Sequence, residues 1–304
     1  MALFERITGI ILPVFIITLA GYVYARLRGD TVRADMTAVN RVTMDALSPM
    51  LIFSALAGKE FDLAHNTTLF LAGVVISLGS ALLAWPVGRL LGYDARTFVP
   101  PMMFNNCGNM GLPLAMFAFG APGLGSAVAM FTAGILVYFS VGIKVVESGH
   151  TGVHTPFFRF LASPIMVAII AGILFSLARL SLPAPLLQAL RMLGETSIPI
   201  MLFALGVRMI DISFRSWRIG LLGAVVCPAT GLAVAWLLDH LLTLTAAQRG
   251  QMYLFAALPP AVFCFIVAEK YRQEPDKVAA IVLLGNMAAV VFVPVGLWLG
   301  LRGG

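Results

Sequence analysis

The chain has 304 residues, of which 60% are hydrophobic and only 11% charged, with a mean hydropathy of +0.95 and a net charge of +6. Soluble domains carry about 25% charged residues, so this balance excludes a soluble enzyme or binding module and indicates a protein that crosses a bilayer many times. The positive charge does not point to nucleic acid, because the basic residues are scattered through short loops instead of gathered on one face.

A spanning helix needs about 20 predominantly apolar residues. Ten segments meet that criterion: 5–25, 36–57, 68–91, 97–119, 123–144, 157–178, 185–207, 217–240, 250–269 and 278–300. The connections are short, so no soluble domain is expected. The first segment has the charged start and apolar core of a signal peptide, but the repeat described below argues against cleavage. The second carries an acid, Asp45, four residues after Arg41. The fourth contains NNCGNMGLP at 105–113. Proline removes a backbone donor and glycine tolerates unwound backbone, so Gly108, Gly111 and Pro113 are expected to split this helix, with its second half beginning near Met110. The seventh segment carries Arg191 and Glu195, again four apart, and the ninth carries AALPPAVF, with Pro259 and Pro260 at its centre and a second half-helix expected from Ala261. Cys107, Cys227 and Cys264 fall inside apolar segments, where thiols behave as small hydrophobes. His150 and His154 lie in a loop with no Cys or carboxylate cluster, so neither a disulfide framework nor a metal site is expected.

Two halves of the chain match. Pro13 and Ala20-Gly21 recur as Pro164 and Ala171-Gly172, and Arg41, Asp45, Pro49 and Phe53 recur as Arg191, Glu195, Pro199 and Phe203. The pattern R-x-x-x-[DE]-x-x-x-P-x-x-x-F thus occurs twice, and a cleaved leader would have no reason to match segment six. Residues 1–150 and 151–304 each hold five spans. Since five is odd, the second half enters the membrane inverted, which is an architecture of secondary transporters. The expected fold is all-α and polytopic, with ten transmembrane helices in two inverted five-helix repeats and broken helices 4 and 9.

Orientation follows from the basic residues. Thirteen lie in the odd-numbered loops (Arg26, Arg28, Arg33; Arg89, Arg96; Lys144, Arg159; Arg208, Arg215, Arg218; Lys270, Arg272, Lys277) and five in the even loops and termini (Lys59, Arg179, Arg249; Arg6, Arg302). By the positive-inside rule both termini face outward from a cytoplasmic (inner) membrane.

In inverted-repeat carriers the substrate sits near the midplane, where helices break and expose backbone groups. Each half-helix N-terminus carries roughly +0.5 of an elementary charge and free N–H groups, which favours an anion, most simply a carboxylate. Asn106 and Asn109 could donate the directional bonds. The plainer reading is that these amides hold helices together, and the paired helix breaks favour the site. Asp45 and Glu195 lie deep enough to mark function by default. An arginine one turn earlier makes internal ion pairing the expectation, with a coupling or substrate role as the alternative.

At these residues the chain resembles the auxin efflux carrier family. NNCGNMGLPLAMFAFG resembles the fourth-helix crossover, in which plant members carry an Asn shortly before M-G-I-P-L; here Asn106 precedes Met110-Gly111-Leu112-Pro113-Leu114. FAALPPAVFCFIVAEKY resembles the ninth-helix crossover, usually A-L-P-Q-G, and IPIMLFALG at 198–206 resembles the seventh helix. The resemblance covers the whole chain. It implies a sodium/proton-antiporter-like fold within the bile acid/sodium symporter-like superfamily, with a scaffold and a transport domain, and bacterial relatives that move malonate or malate. Pro260 and Ala261 stand in place of Gln-Gly and Cys264 in place of a later Pro, so an indole-carboxylate preference does not carry over. The long cytoplasmic loop of plant members is absent.

An intramembrane enzyme would need a nucleophile with its base, paired aspartates or a His/Glu metal cluster, and a channel would need a continuous polar path. The sequence suggests neither. The expectation is a secondary carrier of small organic anions, carboxylates or dicarboxylates, working by an elevator movement. The alternative is a sodium- or proton-coupled cation antiporter, or a bile-acid-like symporter, on the same fold. No cofactor is expected; the coupling ion, H+ or Na+, stays open. The expected partners are the anion and the lipid bilayer, with a homodimer as an open option.

Overall fold

The computed structural model describes residues 2–29, 31–58, 63–148, 160–211 and 216–302. Among them every regular element is helical. In chain order these are α1 (Ala2–Arg28), α2 (Thr31–Val42), α3 (Ser48–Leu56), α4 (Leu63–Leu90), α5 (Ala95–Met103), α6 (Leu112–Val137), α7 (Ile143–Glu147), α8 (Pro164–Leu177), α9 (Ala184–Arg208), α10 (Trp217–Leu241), α11 (Ala246–Ala256), α12 (Phe263–Lys270) and α13 (Pro275–Leu301). Three π turns continue helices: Thr43–Leu47 joins α2 to α3, Cys107–Gly111 leads into α6, and Tyr138–Gly142 joins α6 to α7.

The helix starts follow local chemistry. Asp94 caps α5 by accepting the Arg96 N–H at 2.9 Å, Ser163 caps α8, and Thr245 with Gln248 forms a capping box on α11. Prolines occupy the first turn of α8, α9 and α13, where their missing N–H costs nothing, and Pro49 and Pro113 directly follow the π turns that lead into α3 and α6.

Among the described residues six stretches are long and apolar enough to cross a membrane: Phe4–Arg28, Asn66–Leu90, Cys107–Glu147, Ala184–Arg208, Trp217–Leu241 and Pro275–Leu301. This is a multi-pass membrane protein. The third stretch is 41 residues long, far more than one crossing needs, and it is broken at Gly120, whose φ of 69° only glycine adopts readily. The remaining expected spans appear in other forms. Residues 31–56 run on as helix but begin with the polar TVRADMT, α8 is a shorter 14-residue helix, and 250–269 is divided between α11 and α12. His150, His154 and the rest of that loop lie outside the described residues.

The helices sort into two packing groups. In one, α1 lies against α9, and α3 against α8 and α9; in the other, α10 packs on α13, α4 on α5 and α6, and α11 on α13. The α1–α9 contact shows why small residues recur along these helices. A Cβ at Gly21 would fall 2.1 Å from the Phe203 carbonyl oxygen, and one at Gly206 would fall 1.8 Å from that of Thr18. Backbones approach this closely only where both side chains are absent. Each group draws helices from both sides of residue 150, and the two meet along a seam where α3 and α1 touch α6 and α13.

Candidate functional site

Two interruptions of the helices meet inside the second group. α5 ends at Met103 and Phe104 turns extended (φ −127°, ψ 99°). The Asn106 N–H donates to the Pro259 carbonyl at 2.7 Å, and the Ala261 N–H donates to the Phe104 carbonyl at 2.9 Å, so the two segments form one antiparallel bridge at Asn105 and Pro260. Each interruption thereby satisfies backbone groups of the other, which apolar surroundings require. Side-chain amides complete the pairing. Asn105 Nδ2 donates to the Phe255 carbonyl at 2.8 Å, and its Oδ1 accepts from the Cys227 thiol at 3.4 Å. Asn106 Nδ2 donates to Asn286 Oδ1 at 2.8 Å, while Asn286 Nδ2 reaches the carbonyls of Pro260 at 3.1 Å and Val282 at 2.7 Å.

The first interruption lies earlier than the glycines suggest. Residues 104–106 leave the helix, whereas Gly108 and Gly111 already belong to the π turn that starts at Cys107, three residues before Met110. Pro113 sits in the first turn of α6, where proline is compatible with a helix. The second half-helix starts at Phe263, two residues after Ala261.

Both new helix starts leave donors open. Cys107 N–H bonds the Asn105 carbonyl, and the Met110 and Gly111 N–H groups share the Asn106 carbonyl, but those of Gly108 and Asn109 have no acceptor among the described residues. The same holds for Val262 and Phe263. Unpaired N–H groups and the partial charge of a helix start give each end a positive local potential.

These ends face one cavity of about 530 Å³ in the seam between the packing groups. One wall carries Gly108, Asn109, Ala261 and Val262; the facing wall carries Asn40, Asp45 and Ser48 from the α2–α3 run, Ser163 at the start of α8, and Arg208 at the end of α9. The rest of the lining is apolar, with Phe104, Phe131, Phe139, Phe160 and Phe263 contributing. Phe139 stacks on Phe160 with ring centroids 3.7 Å apart. All three π turns present residues here: Asp45, Asn109 and Phe139. Such turns are rare and cluster at functional sites.

The structure brings together Asn106, Asn109, Gly108, Ala261 and Asp45 at this cavity. Asn106 is only 2% exposed and its amide is engaged by Asn286, whereas the Asn109 side chain has no hydrogen-bond partner among the described residues. Gly111, Pro113, Pro259 and Pro260 shape the surroundings without lining it. A Cβ at Gly111 would sit 2.8 Å from Leu258 Cδ1, and Gly285 of α13 passes so close to Pro260 that a Cβ there would sit 2.6 Å from its ring. Arg41 does not reach Asp45, nor Arg191 Glu195: among the described residues no ion pair within 4 Å joins either couple. Arg191 instead passes beside Gly58, where a Cβ would fall 3.0 Å from its guanidinium. Sequence reading passed over Asn105, Asn286 and Ser48. Asn286 had a signal, as a lone amide in the apolar run LLGNMAAVV. Ser48, whose buried hydroxyl has no partner among the described residues, had none.

Outside the apolar region, a polar cluster ties the start of α5 to the start of α13. Thr97 Oγ1 donates to Glu274 Oε2 at 2.6 Å, Gln273 Nε2 donates to Thr97 Oγ1 at 2.9 Å and to Asp94 Oδ2 at 3.3 Å, and Lys277 pairs with Glu274. Hydrogen bonds from the Arg96 guanidinium hold the Asp94 carboxyl down at about 2.

Comparison with known proteins bears on the whole chain. Residues 6–156 and 157–297 match the model of a family described as Membrane transport protein. A protein of Methanothermobacter thermautotrophicus named as an uncharacterized transporter is 26% identical over 97% of this chain and 98% of its own length. A similarly named transporter of Methanocaldococcus jannaschii is 20% identical over 95% of this chain and 97% of its own. A Rhizobium meliloti protein, named as a proposed malonate transporter, is 23% identical over 95% of this chain and 94% of its own.

Proposed function

Because the chain belongs to the Membrane transport protein family, and is thus a membrane transporter and not an enzyme, we propose that it is a secondary carrier of small organic anions. The observation that carries this reading is the convergence of two helix starts, with open N–H groups at Gly108, Asn109, Val262 and Phe263, on one cavity. Their combined partial charge of about +1 suits a carboxylate. Asn109 supplies a further donor, while Asn106 and Asn286 hold the two interruptions in register. The name of the Rhizobium meliloti relative supports a carboxylate or dicarboxylate cargo.

In this reading the chain makes ten spans as inverted repeats of residues 1–150 and 151–304, and the interruptions are the crossing of helices 4 and 9. The position of the cavity between two packing groups supports an elevator movement, in which α4–α6 with α10–α13 slide past α1, α3, α8 and α9. The cavity reaches Asn40, Phe160, Arg208 and Ile266, each next to a loop of the arginine- and lysine-rich set, so it opens to the cytoplasmic side of the inner membrane, with both termini outward.

Purified protein in liposomes, loaded with unlabelled mono- or dicarboxylates and offered the labelled anion outside, should exchange at least one of them. Exchange of sodium or other cations, with none of any anion, would replace this reading with the cation antiporter.

A further inference from the structure

Asp45 occupies an unusual place for a carboxylate in an anion carrier. It lies in the π turn Thr43–Leu47, is exposed to the cavity that the two helix starts face, and has no hydrogen bond or ion pair among the described residues. Among the described residues no charged group on the elements around it pairs with it. On its own helix, Arg41 does not pair with it. α9 carries Arg191 and Glu195, which do not line the cavity, and Arg208, which lines it at the end of the helix and makes an interaction of its own. α1 carries its charges, Glu5, Arg6, Arg26 and Arg28, near its two ends and away from the cavity, and α6 and α8 carry none.

Two helix starts supply about +1 between them, Arg208 lines the cavity at the end of α9, and Asp45 faces the same space unpaired. A substrate carboxylate at those starts adds a further negative charge. Among phenylalanine, isoleucine and leucine side chains, the repulsion between two anions is much less screened than in water. Resting on the anion reading above, we propose that Asp45 takes up one proton from the adjoining water as the substrate carboxylate binds, so that anion and proton load together. The proton bonds to a carboxylate oxygen of Asp45, leaves when the anion leaves, and no electrons move. A sodium ion fits less well. Around Asp45 the backbone stays helical, with Val42 at φ −59°, ψ −41° and Leu47 at φ −66°, ψ −47°, so its carbonyls run along the helix axis and do not converge on the carboxylate. One carboxylate and the Ser48 hydroxyl make a poor cation cage, but one carboxylate suffices for a proton.

By linkage, proton uptake on binding means that affinity rises as pH falls. The test is binding of radiolabelled phenylacetate and malonate to the purified full-length protein between pH 6 and 8, with proton uptake on phenylacetate addition read by an indicator dye in weak buffer. Wild type should take up about one proton per anion bound, and its affinity should rise by up to about tenfold per pH unit. Asp45→Asn, which mimics the protonated acid, should bind with no proton uptake and little pH dependence, and Asp45→Glu should restore both. Binding by wild type without proton uptake would overturn the proposal without recourse to any variant. Uptake that persists in Asp45→Asn, or affinity that follows sodium and not pH, would do the same while leaving the anion reading intact. Failure of wild type to bind or exchange any anion would remove both.

Discussion

The two helix interruptions meet at the same bridge but are built from opposite chemistry. Residues 104–109 carry three asparagines, while residues 257–262, ALPPAV, carry no polar side chain at all. The second interruption is made by prolines, which remove N–H donors and leave carbonyls that must find partners elsewhere. They find them in amides from outside: Asn105 takes the Phe255 carbonyl and Asn286 takes that of Pro260, while the Asn106 backbone takes Pro259. One region supplies the shape and the other the hydrogen bonds that make that shape tolerable in an apolar interior. Their contributions to the site should therefore be separable.

Removing Asn286 tests the dependence most severely, since it serves both interruptions and is 4% exposed. Asn286→Ala strips the acceptor from Asn106 and a donor from Pro260, and a buried group left unpaired costs about 1–3 kcal/mol. We expect the largest drop in thermal stability in detergent for this variant. Asn106→Ala should show a smaller one, because it strands only the Asn286 oxygen. Equal stability of wild type and Asn286→Ala would show that the proline segment supports itself.

Space gives the second contrast. A Cβ at Gly285 meets the rigid Pro260 ring at 2.6 Å, whereas one at Gly111 meets Leu258 Cδ1 at 2.8 Å and the Phe255 ring edge at 3.2 Å. A leucine methyl can rotate away and a proline ring cannot. Gly285→Ala should thus lose stability by an amount typical of overpacking, about 1–3 kcal/mol, and reduce anion exchange more than Gly111→Ala. The reverse order would mean that the proline segment is the more pliant of the two.

Chemistry at the cavity gives a smaller effect. Asn109 is the amide of the first interruption that no protein group occupies, so Asn109→Ala should leave thermal stability unchanged and weaken carboxylate binding by one neutral hydrogen bond, about 1 kcal/mol or roughly fivefold in Kd. Asn105→Ala should do the opposite, lowering stability by leaving the Phe255 carbonyl to the longer bond from the Leu258 N–H at 3.3 Å, with less effect on affinity. Loss of stability in Asn109→Ala, with affinity intact, would return that residue to a packing role.

This division also explains what could be read from the sequence. Composition and helix length identified a multi-pass membrane protein, and NNCGNMGLP and ALPPAVF are the segments that meet, because proline, glycine and asparagine inside apolar runs are visible one residue at a time. What was not visible is pairing across the chain. Nothing local distinguishes Asn106, committed to Asn286 across 180 positions, from Asn109, which faces the cavity. Likewise, i,i+4 spacing proposes an Arg41–Asp45 pair, but spacing places two side chains only on the same strip of helix, and their rotamers decide whether they meet. Here they do not, and Asp45 faces the cavity instead.

The smallest effect concerns the surface cluster that ties the helix leading into the first interruption to the one that follows the second. Asp94, Thr97, Gln273 and Glu274 join the starts of α5 and α13, so their loss should loosen both interruptions together. Asp94 titrates at about 2 in the folded protein against an ordinary 3.8, because Arg96 holds its charged form. A depressed carboxyl contributes stability that is full above the unfolded value and is lost as pH falls through the folded one. The contribution of Asp94 should therefore be complete above about pH 4 and disappear between about pH 4 and 2. Both partners are about a third exposed, so solvent screening keeps the effect within the range of surface ion pairs. In acid unfolding of the detergent-solubilised protein, Arg96→Gln should be slightly less stable than wild type at pH 5 to 7, with the two curves converging as pH approaches 2. A difference that stays constant down to pH 2 would mean that Arg96 acts through packing and not through the Asp94 charge. A difference abolished by moderate salt at pH 6 would mark the pair as fully solvent-screened, and would leave Thr97, Gln273 and Glu274 as the contacts that join the two helices.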